Sequence, residues 1–191
     1  MNAPFQHPAR VDKATFYRLT RDTPGKAELK DGRIVQQMTK TTKRHNRVVS
    51  NFIGTLRTAL DLDVWSVTAC ELSLEIGGDV RMPDVVVERL DAPGPPLVAE
   101  QPVLLVEVLS PSTSGIDFTE KTAEYMSLGS VEAYIIASQD EPILWIWQRG
   151  AERQFPQKPL EVKGRDGTVE VTSLAIGLPM RELFRTIPDP A

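Results

Sequence analysis

The stretch Val103-Leu-Leu-Val-Glu-Val-Leu109 is the most apolar run of the chain, and its one charged residue is Glu107. A continuous apolar run of this kind is typical of a strand that is covered on both faces of a sheet. Burying an unpaired polar group costs on the order of 2–7 kcal/mol, and burying an ion costs more. The run therefore predicts a central strand, and Glu107 predicts a compensating cation, metal or proton beside it.

A second acid, Asp84, precedes another apolar run in Met82-Pro-Asp-Val-Val-Val-Glu88. Pro83 cannot donate to a sheet ladder and suits the first residue of a strand. We therefore expect Asp84 at a strand end, where a ligand can reach it. An ordinary turn residue at the start of a strand is the alternative interpretation.

A helix is predicted after the Glu107 strand, and Asp117, Lys121 and Tyr125 follow one another in it at intervals of four. Residues four apart lie on one helix face. We expect Lys121 to return over the carboxylates from this face, with a solvated lysine as the alternative. Two acids without a cysteine cluster favour Mg²⁺ or Mn²⁺, which prefer oxygen ligands.

The remaining pattern predicts a mixed sheet flanked by helices, an α/β or α+β architecture. Further helices are predicted at residues 10–22 and 41–60, and Asp31-Gly32 predicts the turn of a hairpin. Strands are predicted at 27–30, 33–38, 64–69, 71–76, 84–88, 103–109, 133–137 and 143–148, with a weaker β segment at 169–172 and a short helix at 180–184. We expect one domain over 1–191, with a core at about 15–150 and a C-terminal extension at 151–191.

Composition sets limits on the class of protein. The chain has 191 residues, of which 41% are hydrophobic and 25% are charged, as is ordinary for a globular domain. Cys70 is the only cysteine, which excludes an internal disulfide and argues against structural zinc. No apolar run approaches a membrane span, and the first residues lack the apolar core of a secretory signal. We expect a cytoplasmic protein with no membrane partner.

The charge is distributed unevenly. The net charge is −4, but residues 10–47 hold eleven Lys or Arg against four acids, so this segment carries +7. Such asymmetry favours a side that faces phosphates. A solvated helix face explains it equally well.

Taken together, several motifs resemble the Uma-type restriction endonuclease family of the PD-(D/E)XK nuclease superfamily over roughly residues 15–150. The matching pieces are Glu28-Leu-Lys-Asp-Gly32, His45, Pro83-Asp84-Val-Val-Val87, Val106-Glu107-Val-Leu-Ser-Pro-Ser-Thr113, Asp117 with Lys121 and Tyr125, and Gly129-Ser-Val-Glu-Ala-Tyr-Ile-Ile136. The superfamily lysine belongs two residues after the acid, where this chain has Leu109. In the Uma-type pattern the lysine moves to the next helix, and Lys121 fits that position.

The resemblance implies a restriction-endonuclease-like fold and Mg²⁺-dependent hydrolysis of DNA. It assigns the metal to Asp84, Glu107 and the backbone carbonyl of Val108, and it makes Lys121 the third catalytic residue. Asp117, Tyr125, Glu28 and His45 border the site in this interpretation, although a turn-flanking acid and a surface histidine are alternatives for the last two. DNA is the expected partner, and a homodimer fits enzymes that cut two strands.

Two other functions stay open at this point. The negative net charge and the displaced lysine are compatible with a catalytically silent nucleic-acid-binding or oligomeric scaffold of the same fold. Because metal chemistry transfers between substrates, hydrolysis of another phosphate ester is the third hypothesis.

Overall fold

The computed structural model describes residues 10–22, 25–36, 41–69, 72–109 and 117–187. The motif residues Ser110 to Thr113 and the side chain of Asp117 lie outside this description. The helices are α1 (Lys13–Thr20), α2 (Lys43–Ala59), α3 (Thr122–Ser127, preceded by a π-helical turn, Asp117–Lys121) and α4 (Met180–Leu183). The strands are β1 (Ala27–Lys30), β2 (Arg33–Gln36), β3 (Trp65–Ala69), β4 (Leu74–Ile76), β5 (Asp79–Arg81), β6 (Val85–Arg89), β7 (Pro102–Val108), β8 (Ala133–Ala137), β9 (Ile143–Gln148), β10 (Leu160–Lys163), β11 (Thr168–Val171) and β12 (Ile176–Pro179).

The main sheet has six strands in the order β10-β9-β8-β7-β6-β3. Strands β7 and β8 run parallel, and the other neighbours are antiparallel. Strand β7 therefore lies inside the sheet, as its apolar sequence predicts, and both of its faces are covered.

Two apolar layers cover this sheet. On one face, Val48, Phe52 and Leu56 of α2 pack on the strands, together with the C-terminal segment around β11, β12 and α4. Each such side chain contributes about 1.5–3 kcal/mol when fully buried. On the other face, Tyr125 of α3 packs beside Leu105 of β7. Glu107 is two residues after Leu105, so its side chain points to the α3 face.

A smaller sheet has the order β2-β1-β5-β4, and α1 packs on it. Its hairpin turns at Asp31 and Gly32, which both have positive φ, as a two-residue turn of this type requires. Ala27 and Leu29 of β1 pack under α1. Because side chains alternate along a strand, the even-numbered residues of β1 face the opposite way.

The predicted mixed architecture is confirmed, and so are the hairpin, the long helix and strands β6 to β9. Thr42 accepts the backbone N–H of His45 and caps α2, at the predicted start of that helix. Three strands were not predicted: β5, β10 and β12. Strand β5 is three residues long with a charged end, too short for alternation to be visible. Within the described residues, no helix is long and apolar enough to cross a membrane.

Candidate active site

The two predicted acids lie at the same end of neighbouring strands. Val85 of β6 pairs with Val106 of β7, so Asp84 and Glu107 are the next residues on each strand in the direction of the site. The backbone N–H of Val108 donates to Asp84 Oδ2 at 2.8 Å. Both acids are 3% exposed. The predicted proximity of the acids therefore follows from strand register and from one hydrogen bond.

Glu107 is held from helix α3 and the turn before it. Lys121 Nζ donates to Glu107 Oε1 at 2.8 Å, and the hydroxyl of Tyr125 donates to the same oxygen at 2.8 Å. Burial, followed by the charges of Glu107 and Glu28, raises the pKa of the Tyr125 hydroxyl well above its ordinary value, so Tyr125 stays protonated and acts as a donor. Lys121 is 3% exposed, so it is a buried cation and not a solvated one.

Asp84 is held by residues that are distant in sequence. Lys26 Nζ donates to Asp84 Oδ1 at 2.5 Å, and His45 Nε2 lies 3.1 Å from Asp84 Oδ2. Burial by itself raises the pKa of the Asp84 carboxyl, but the hydrogen bond from His45 and the charge of Lys26 outweigh burial and hold the pKa below its ordinary value. Asp84 is therefore ionised at neutral pH.

A second layer of charges supports Lys121. Glu28 Oε1 lies 3.6 Å from Lys121 Nζ, and Glu28 Oε2 accepts from Arg81 at 3.0 Å. Arg81 also donates to both carboxylate oxygens of Glu124, at 2.7 and 3.0 Å. Burial lowers the pKa of the Arg81 guanidinium, but Glu124 and Glu28 outweigh that effect and raise it. Arg81 thus fixes the small sheet to helix α3.

The outer part of this layer is Lys30. Its Nζ donates to Glu124 Oε1 at 2.6 Å and lies 3.1 Å from Asp79 Oδ2. The hydrogen bond to Glu124 raises the pKa of Lys30 to about 12. Lys26, directly before β1, and Glu28 and Lys30 of β1 are therefore each paired to an opposite charge near the site.

The structure brings most of the predicted residues together. Those in direct contact with one another form two groups: Asp84 with His45 and Val108, and Glu107 with Lys121, Tyr125 and Glu28 through Lys121. The side chain of Asp117 is outside the described residues.

Sequence reasoning missed Lys26, Arg81 and Glu124. For Lys26, the available signal was the alternation Lys26, Glu28, Lys30 leading into a short strand, since alternate residues of an extended segment lie on one face.

The donors fit a hard divalent cation. Asp84 and Glu107 supply carboxylate oxygens, and Val108 ends the same strand with a backbone carbonyl. Within the described part of the chain, no group of three or more His, Cys, Asp and Glu side chains is arranged to hold a metal. An ammonium group already lies on each carboxylate, Lys26 on Asp84 and Lys121 on Glu107. The position on Asp84 is thus one that accepts a cation.

The fold is shared with a protein of known structure. It matches the crystal structure of a protein described as "a putative nuclease belonging to DUF820", from Anabaena variabilis ATCC 29413. The TM-score is 0.72, with 18% identity, and the match covers 91% of this chain and 97% of the other. At this identity the likeness establishes a common fold.

The chain belongs to the Uma2 family. The sequence model of that family, described as "Putative restriction endonuclease", matches residues 14–180, which confirms the resemblance that the motifs indicated. No curated protein gives a significant match.

Proposed function

We propose that this protein is a metal-dependent endonuclease that hydrolyses phosphodiester bonds in DNA. The observation that carries the proposal is the pair of buried carboxylates, Asp84 and Glu107, which lie at the same end of two adjacent strands, with Asp84 accepting the backbone N–H of the residue after Glu107. Buried acids that are paired with specific cations are a frequent feature of catalytic sites. Family membership adds the reaction class.

Asp84, Glu107 and the carbonyl of Val108 would hold Mg²⁺ or Mn²⁺. When bound, such an ion supplies charge stabilisation at the phosphoryl group and lowers the pKa of a bound water. Lys121 lies against Glu107, where its ammonium can orient the attacking water or neutralise charge that develops on the phosphate. Tyr125 and Glu28 hold this ammonium and its carboxylate in place.

The DNA would approach from the side of helix α2. His45 contacts Asp84 from the first turn of this helix, and Lys43, Arg44 and Arg47 are exposed next to it. Exposed basic residues beside a catalytic carboxylate suit the backbone of a nucleic acid. The basic segment 10–47 would then contact phosphates.

The whole chain would act as one domain, and two copies would cut two strands. The C-terminal residues Val169, Leu178 and Phe184 belong to the same apolar cluster as helix α2, which supports a single unit. Analytical ultracentrifugation with and without DNA measures the stoichiometry. A monomer in both conditions contradicts the homodimer.

The test is cleavage of plasmid and linear DNA in Mg²⁺ or Mn²⁺. We expect Asp84→Asn and Glu107→Gln each to lower the rate more than about 100-fold, because loss of groups that only support metal ligands already costs 10–100-fold. Glu161→Gln is the matched control, an acid paired with Lys163 on the far edge strand. Cleavage that survives either site substitution refutes the assignment.

A silent nucleic-acid-binding scaffold is the second candidate. It is favoured by the observation that lysines already satisfy both carboxylates. Calorimetric titration with Mg²⁺ and Mn²⁺ separates the candidates, since a scaffold gives no heat that depends on Asp84. If metal binds but DNA stays intact, small phosphodiesters test hydrolysis of another ester.

A further inference from the structure

We propose that Lys26 is an internal cation that a divalent metal must displace from Asp84. The inference rests on the proposed function, since it concerns the same carboxylates. Lys26 directly precedes β1 and reaches Asp84 Oδ1 at 2.5 Å, while its side chain is 15% exposed. It therefore occupies an oxygen on which the metal would bind.

The charges of the site are balanced while Lys26 is in place. Each of the two carboxylates faces one ammonium group, Asp84 that of Lys26 and Glu107 that of Lys121, and the ring of His45 also contacts Asp84. A divalent ion added to this set would leave two uncompensated positive charges in a poorly solvated site, which is strongly unfavourable. Departure of one ammonium removes half of that excess.

Lys26 is the cation best able to leave. The side chains of Arg81 and Lys121 are 4% and 3% exposed, so moving either one requires the helix α3 layer to open. Lys26 is more exposed, and a lysine side chain can move its ammonium into solvent on a flexible stem.

The exchange also prepares the site for its substrate. With the metal bound and Lys26 in solvent, the same set of groups carries one net positive charge. A phosphodiester carries one negative charge, so substrate binding restores the balance. In the absence of metal, Lys26 supplies a cation to Asp84 in addition to the contacts from His45 and the Val108 N–H, which stabilises the metal-free protein.

The decisive measurement is the affinity for Mn²⁺, which is obtained from the electron paramagnetic resonance signal of the free ion. Because a unit charge beside the ligand is removed, we expect Lys26→Gln to bind Mn²⁺ about tenfold or more tightly than wild type. Lys26→Arg keeps the charge and should bind no more tightly than wild type. Lys30→Gln is the matched control: it removes a lysine charge four residues further along the chain, where Lys30 pairs with Glu124, and should change affinity by less than about threefold.

Displacement itself is read by chemical labelling. Mn²⁺ should raise the reactivity of Lys26 toward an amine-reactive reagent several-fold in mass spectrometry, while Lys30 stays unchanged. This measurement uses the wild-type chain, so it holds even if Lys26→Gln fails to fold.

The outcomes separate the two proposals. In one outcome, Mn²⁺ binding depends on Asp84, but wild type and Lys26→Gln bind it with equal affinity and the labelling of Lys26 does not change. This outcome overturns the displacement and leaves the nuclease assignment standing. No Asp84-dependent binding in any variant overturns both.

Discussion

The two carboxylates of the site are held in opposite ways. Glu107 takes both of its described side-chain donors, Lys121 and Tyr125, from the next 18 residues of the chain. Asp84 takes its donors from Lys26, His45 and Val108, which lie 58, 39 and 24 residues away. The first half is nearly inaccessible, whereas the second includes a partly exposed lysine. The Glu107 half is therefore the fixed part of the site and the Asp84 half is the adjustable part.

The largest expected effect distinguishes the two lysines. Lys121→Met leaves Glu107 as a buried charge without its cation, which costs about 3–5 kcal/mol of unfolding free energy. Lys26→Met should cost clearly less, because Asp84 keeps two donors and water reaches the Lys26 position. Urea unfolding of both variants gives the comparison. Equal losses would break the distinction between a fixed and an adjustable half.

A second comparison removes Arg81 alone and then Arg81 together with Glu28, its buried ion-pair partner. Arg81→Met should cost about 3–5 kcal/mol, since Glu28 and Glu124 both lose a buried partner. Adding Glu28→Leu to Arg81→Met should restore part of that loss, because one unpaired buried charge is then gone. Thermal and urea unfolding measure both. A double variant less stable than Arg81→Met indicates that Glu28 is held mainly by other groups.

A smaller effect is expected for the hydrogen bond from the Tyr125 hydroxyl to Glu107. Tyr125→Phe removes one hydrogen bond to a charged acceptor, so we expect a loss of about 1.5–3 kcal/mol. The same substitution in a Glu107→Leu background should cost under about 1 kcal/mol, because the acceptor is absent. This double-mutant cycle isolates the contact. Identical costs in both backgrounds would show that Tyr125 acts through packing alone.

The pH dependence of stability tests the bridge between the small sheet and α3. Burial raises the pKa of Glu124, but Arg81 and Lys30 outweigh it and lower that pKa, so its stabilisation is present above the ordinary pKa of 4.5 and is lost as pH falls through the lowered value. The pKa of Lys30 is raised to about 12, so its contribution is complete below pH 10.5 and is lost as pH rises through about 12.

Glu124→Gln should remove the dependence in acid and reduce the dependence in base, where Asp79 still pairs with Lys30. The stability gap between wild type and this variant should be widest between these limits, shrink in acid, and shrink in part in base, where Arg81 keeps its charge. Unfolding measured from acid to strongly alkaline pH gives the curve. A gap that is flat across the range contradicts the assigned ion pairs.

The smallest effect on stability is expected on the exposed face of α2. Arg47→Gln should change unfolding free energy by less than about 0.5 kcal/mol. If this face contacts DNA, the same variant should lower the slope of log affinity against log salt by about one. Fluorescence anisotropy at several salt concentrations measures the slope. An unchanged slope removes Arg47 from the proposed DNA-contacting face.

Much of the architecture could be predicted from the sequence because its signals are local. The apolar run around Glu107, the Asp31-Gly32 turn and the spacing of Lys121 and Tyr125 each lie within a few residues. Strand β5 could not be predicted, since it is short and is formed by pairing with β1 and β4. Arg81 was missed for the same reason: its two acids come from another strand and a helix.

By itself, the sequence determined that a charge would lie inside an apolar strand, and it placed Lys121 and Tyr125 on one face of the next helix. Period and spacing suffice for this, because strand and helix geometry fix which neighbours share a face. Only the tertiary structure decided what surrounds Asp84. Its cation comes from before the first strand and its imidazole from another helix, and the pairing of two sheets brings them to one carboxylate.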